Sequence, residues 1–187
     1  MLVLAQVMTF DEDEALVERF KAGDPHAFDD LVRKYQRPLF YLARRYVKDD
    51  DEAKDLAQRA FVKAFQGVSR LRGAGAFKTW LYKIVSNLAL NHIRDHARLT
   101  HDEEAGVSVP VDAVGTDRME ASQDKARMLA AIDELPPKQR MVLELRVFEG
   151  LSFREVARAV GSTENAAKVN FHHAVRRLRE NVGGTKP

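Results

Sequence analysis

Apolar residues fall at helical spacing along most of this chain. The clearest stretch is about 50–66, where Ala53, Leu56, Ala57, Ala60, Phe61, Ala64 and Phe65 recur every three or four positions and mark one inward face. The pattern predicts an earlier helix at about 11–22, stopped by Gly23. A second opens after Asp24 with Pro25 near its start and buries Phe28, Leu31, Val32, Tyr35, Leu39 and Leu42. Pro38 lies inside that pattern and is expected to kink it, because proline removes a backbone donor. After a Gly-rich turn at 72–75, a long fourth helix carries Phe77, Leu81, Ile84 and Leu88 inward, and the four can share one core.

Periodicity fades from about Ala97 to Ser122, where acids, Gly, Pro and isolated valines alternate without a repeat. So long an irregular stretch is rare inside a compact domain and predicts a tether. Helices resume near Ser122, pause at Leu135-Pro136-Pro137, and continue through Met141, Leu145 and Phe148 to Gly150. No strand alternation is found, so the expected fold is all-α: two small helical domains, four helices and then a helix-turn-helix unit, joined by a flexible linker.

The segment from Leu151 to Arg179 is the most informative. Ser152 and Glu155 form an S-x-x-E capping box, followed by Phe153, Val156, Ala157 and Val160 as a buried stripe. Gly161 supplies the stop, and Ser162 or Thr163 can cap a second helix whose inward face is Ala167, Phe171, Ala174, Val175 and Leu178. Facing out are Asn165, Lys168, Val169, His172, His173 and Arg176. A helix of this width fits the major groove of DNA. A plain helical hairpin in a bundle shares the capped start and glycine stop, so the outward residues must decide between them.

Composition narrows the choices. The chain has 187 residues, 45% hydrophobic and 31% charged, which places it among globular proteins. Lys and Arg number 30 against 28 Asp and Glu, a net charge of +2, so any affinity for nucleic acid must come from local patches. Basic residues gather at 70–83, 94–98 and 168–179. Cysteine is absent, which removes disulfides, thiolate metal sites and thiol nucleophiles, and fits a reducing cytoplasm. The apolar start, Met1 to Met8, lacks a basic leader segment and is too short to span a bilayer, so neither export nor membrane insertion is expected.

Four stretches together resemble the extracytoplasmic-function group of bacterial RNA polymerase sigma factors: 23–28 (GDPHAF), 55–58 (DLAQ), 77–84 (FKTWLYKI) and 135–140 (LPPKQR). Asn87, and Glu149-Gly150-Leu151-Ser152 ahead of the helix-turn-helix, add to the likeness, which covers nearly the whole chain in order and spacing. The resemblance implies region 2 at 11–97, a linker at 98–121 and region 4 at 122–182. It implies a subunit that binds core RNA polymerase, directs it to a promoter and helps separate the strands.

The same resemblance implies roles for particular residues. Asp55, Leu56, Gln58 and Arg59 would lie on the helix that docks on the clamp coiled coil of the polymerase, whose flap is the other implied contact. Arg59 departs from the family, which usually has Glu there. The minus-ten element would be read by Leu71, Arg72, Gly73, Ala76, Lys78, Lys83, Asn87, Asn91 and Arg94, with a base flipped out of the stack and the cations, Arg98 among them, on phosphates. An amide suits the Watson-Crick edge of such a base, and glycines let backbone approach closely. The minus-thirty-five element would be read by Asn165, Lys168, Val169, His172 and His173, with Arg176, Arg177 and Arg179 near the backbone. Val169 and Asn170 stand where the family often has Ser and Arg, so base preference does not transfer. An anti-sigma protein is the other implied partner.

Phe61 and Trp80 read as core packing beside their apolar neighbours. His92 and His96 have a zinc-compatible i, i+4 spacing, with His101 following, but position 93 is Ile and no third ligand is fixed, so no metal is expected. No phosphate-cradling loop, nucleophile elbow or triad is found, and neither cofactor nor catalysis is expected. Two other functions compete: a stand-alone helix-turn-helix regulator that binds DNA without polymerase, and a helical adaptor whose basic face docks an acidic protein.

Overall fold

A computed structural model of the chain describes residues 2–47, 49–72, 76–100 and 127–183. The expected linker lies almost wholly outside them, and so does Gly73. Eight α-helices are found among the described residues, with no strand. They are α1 (Leu2–Lys21), α2 (His26–Arg44), α3 (Asp50–Gly67), α4 (Ala76–Thr100), α5 (127–133), α6 (Pro137–Val147), α7 (Phe153–Ala159) and α8 (Glu164–Gly183), and a 3₁₀ turn, Val68–Arg70, follows α3.

The helix ends carry their sequence signals. Asp49 caps α3 by accepting from the Glu52 N–H at 2.7 Å, and three acids in the first turn suit the positive end of the helix dipole. Ser152 and Glu155 form the expected reciprocal capping box on α7. Thr163, rather than Ser162, caps α8, its Oγ1 accepting from Ala166 N at 3.1 Å. Gly161 sits at φ +64° in the turn between α7 and α8, where an L side chain is strained. Pro38 stays inside a continuous α2. Helix α4 runs to Thr100, past the expected start of the linker, and α1 begins well before Asp11.

Helices α1 to α4 close around Leu31, Tyr35, Leu39, Ala60, Phe77 and Leu81. A smaller cluster of Ala131, Ile132, Leu135, Leu143, Ala174 and Leu178 ties α5 and α6 to α8. The two halves also pack against each other, with α6 and α7 seated on α4. That contact explains a departure from the single-faced pattern expected for α4. Ile84 and Leu88 are only partly buried, whereas Tyr82, Val85, Ser86 and Ala89 are fully enclosed because the helix is covered on two sides.

Candidate polymerase and nucleic-acid surfaces

Between α2 and α3 lies an open apolar groove of about 750 Å³, lined by Phe28, Val32, Phe40, Phe61, Val62 and Phe65 and rimmed by Arg37, Lys54 and Gln58. Phe65, expected in the core, is 52% exposed and stacks edge-on with Phe20 and Phe28 at 5.3 and 5.2 Å. A groove of this kind fits the apolar face of a partner helix. Asp55, Gln58 and Arg59 are exposed beside it, and Arg59 pairs with Asp55 at 3.5 Å. Leu56 is a correction: at 3% exposure it belongs to the internal core and presents nothing to a partner. It has the i, i+4 register of Ala60, which points inward.

On α4, Lys83, Asn87, Asn91 and Arg94 are all exposed. Their spacing puts them on one narrow stripe, flanked by the half-buried Trp80. Other residues expected in this group stand apart. Lys78 is half-buried and donates through Nζ to the Glu149 carbonyl at 2.7 Å, while Leu71 and Ala76 are half-buried and Arg72 is exposed. Arg98 belongs to α4, and its side chain is not described.

On α8 every expected reader, Asn165, Lys168, Val169, His172, His173, Arg176 and Arg177, is exposed. Several polar heads are already engaged along the helix. Lys168 Nζ lies 2.8 Å from Glu164 and holds that carboxyl below its ordinary range. Arg176 Nη2 lies 3.1 Å from His173 Nδ1. Asn170 turns back on the helix and donates to the Ala166 carbonyl at 2.9 Å.

Two features escaped the sequence reading. A second groove beside the start of α8 is lined by Arg146, Arg154, Arg158 and Lys168, so the outer side of α7 adds cations to the face of α8. The i, i+4 spacing of Arg154 and Arg158 carried that signal. The other feature is a polar joint between the halves, which involves residues too far apart in sequence to be paired by pattern. Glu144, 1% exposed, accepts from Tyr46 Oη at 2.8 Å and Arg140 Nε at 3.1 Å, and pairs with Arg45 at 3.2 Å. Arg140 also pairs with Asp133 at 2.6 Å, and the Arg45 guanidinium lies 4.5 Å from the Phe148 ring centre. Nearer α7, Tyr82 Oη donates to Glu149 and Thr79 Oγ1 to Glu155 at 3.2 Å. Burial raises the Glu149 carboxyl above its ordinary range, against the lowering effect of the Tyr82 hydroxyl.

His92 and His96 lie with ring centres 6.2 Å apart, and His92 approaches Glu52 at 3.9 Å. Among the described residues no group of three potential ligands converges on a metal-sized site, and no helix is long and apolar enough to cross a membrane.

Comparison with known proteins gives these surfaces a context. The family described as Sigma-70 region 2 matches residues 31–99, and Sigma-70, region 4 matches 125–178. The RNA polymerase sigma-H factor of Pseudomonas aeruginosa is 37% identical over 166 residues, covering 81% of this chain and 83% of that protein. The ECF RNA polymerase sigma-E factor of Haemophilus influenzae is 35% identical over 158 residues, covering 78% and 82%. Among solved structures, CnrH in complex with the cytosolic domain of CnrY aligns at a TM-score of 0.66 and 23% identity, covering 94% of this chain and 99% of that one. The sigma factor RpoE of Bartonella quintana, in complex with the anti-sigma factor NepR, aligns at 0.67 and 23%, covering 85% and 98%, and both agree in fold. Together the two matched regions and these relatives show that the chain belongs to the extracytoplasmic-function sigma factors, the subunits that direct RNA polymerase to promoters.

Proposed function

We propose a division of labour among the three surfaces. The groove between α2 and α3, with Asp55, Gln58 and Arg59 at its edge, receives the clamp coiled coil of core polymerase. The α4 stripe of Lys83, Asn87, Asn91 and Arg94, with Arg72 from the preceding turn, takes the opened minus-ten strand. Helix α8 takes the minus-thirty-five duplex, and Arg154 and Arg158 join its phosphate contacts. The boundaries proposed for the two working units are 11–97 and 122–182. The work is cytoplasmic, where the polymerase acts, and catalysis belongs to the polymerase. An anti-sigma protein is the second partner proposed, since the sigma factor RpoE of Bartonella quintana, which shares the fold, is bound by the anti-sigma factor NepR.

One observation carries this reading: among the described residues, two exposed polar stripes, on α4 and α8, occur with an open apolar groove between α2 and α3. The packing of α7 on α4 adds a requirement. Packed helices lie about 8–10 Å apart, whereas two separate promoter elements are spread along the duplex at about 3.4 Å per base pair. On this reading the halves separate before both elements are held at once.

Run-off transcription with purified core enzyme tests the reading. Specific initiation that core alone does not give is the expected result. Initiation sites left unaltered by the added chain would overturn it.

A further inference from the structure

The outward face of α8 has an apolar centre. Val169 is 47% exposed, one of few large hydrophobic side chains left open among the described residues, and it lies among Asn165, Lys168, His172 and His173. Its flanking polar groups are drawn aside: Lys168 toward Glu164 at 2.8 Å, and His173 toward Arg176 at 3.1 Å. Asn170 is bonded to its own helix. Valine is also stiff about χ1, so its methyls project in a fixed direction. In the major groove the feature of a base pair that is both apolar and sequence-specific is the C5 methyl of thymine.

The geometry points to Val169 as a specificity-determining residue that packs on a thymine methyl near the middle of the upstream element. This rests on the reading of α8 as the duplex-binding helix. The recognition is by shape and apolar contact, without a hydrogen bond to the base. It differs from what a serine would do here, because a hydroxyl can serve several bases while an isopropyl group favours the one with a methyl. Arg176 assists indirectly. Its guanidinium lies 3.1 Å from His173 Nδ1 and holds that ring to one side of Val169.

The test uses holoenzyme formed from the full chain and core polymerase, on a promoter found by run-off transcription. Each thymine of the upstream element is replaced in turn by deoxyuridine, which deletes one methyl and keeps base pairing. One position is expected to weaken promoter binding about fourfold, the value of one buried methyl-sized group. In Val169→Ala holoenzyme the same replacement is expected to have no effect. Val169 is exposed, so the variant keeps its fold, which circular dichroism verifies. A scan with no sensitive position, or a penalty that persists in the variant, would overturn the assignment. The combined Asn165→Ala, His172→Ala, His173→Ala variant separates the two levels. If it binds normally, α8 does not touch this DNA; if it binds weakly while the thymine scan is silent, only the role of Val169 fails.

Discussion

Tyr46 and Glu144 are 98 positions apart, yet they share a buried hydrogen bond of 2.8 Å that joins the turn after α2 to α6. Arg45 and Arg140 meet the same carboxylate, so Glu144 is the hub of the joint between the halves. Removing one member of a buried ionic cluster leaves the others uncompensated, at a cost of about 3–5 kcal/mol. Glu144→Ala is therefore expected to loosen the packed form by that order, while Tyr46→Phe, which removes one neutral donor, costs about 1 kcal/mol. Denaturant titration, with fluorescent labels placed on α2 and α8, checks both. Equal effects from the two changes would contradict the hub.

Glu149 makes the joint sensitive to pH. Its carboxyl is raised by burial in the packed state, so that state binds a proton more readily than the opened one. Its contribution therefore favours packing as pH falls from neutral toward the ordinary carboxylate value of 4.5, and disfavours packing as pH rises. Glu149→Gln should remove that slope. The check is melting temperature across pH 5–8 for both proteins, compared as a difference so that other carboxylates cancel.

Trp80 is the single tryptophan and reports on its own packing. A Cβ added at Gly67 would lie 2.8 Å from Trp80 Cζ2 and 3.0 Å from Cη2. Gly67→Ala is expected to displace the indole, because overpacking costs about 1–3 kcal/mol against about 1 kcal/mol gained in helix propensity. A shift in Trp80 emission together with a lower melting temperature is the expected signature.

The apolar groove offers a cleaner separation of folding from docking. Val62 is half exposed on its wall and lies outside the internal cluster. Val62→Glu is expected to leave stability within about 0.5 kcal/mol, as exposed substitutions do. It would weaken core-polymerase binding by at least about tenfold, since docking would then bury an unpaired carboxylate. Titration against labelled core enzyme measures it, and unchanged affinity would move the docking site elsewhere.

How much of this was legible in the sequence follows from the range of each signal. Helical period, caps and the Gly161 stop act within a turn or two, so α2, α3, α7 and α8 were readable from pattern, as was the exposed face of α8. Periodicity placed Leu56 inward, where it lies, against the docking role the resemblance implies; it also placed Phe65 inward, which is 52% exposed, because a repeat tells which residues share a face but not how far a neighbouring helix covers it. Tyr46 with Glu144, and Tyr82 with Glu149, could not be foreseen, because no local rule pairs polar residues so far apart. The second buried side of α4 was hidden for the same cause.

Lys78 draws a last consequence from the joint. Its ammonium gives one of its donors to the Glu149 carbonyl, so a phosphate that drew this cation outward would work against internal closure. Under that proposed role the coupling would be reciprocal: DNA would favour the parted form, and the parted form DNA. A cation released in this way would add one phosphate contact, steepening the dependence of log affinity on log salt by about 0.7–0.9. Ionic strength would then act as a dial on shape as well as on binding, through a single lysine.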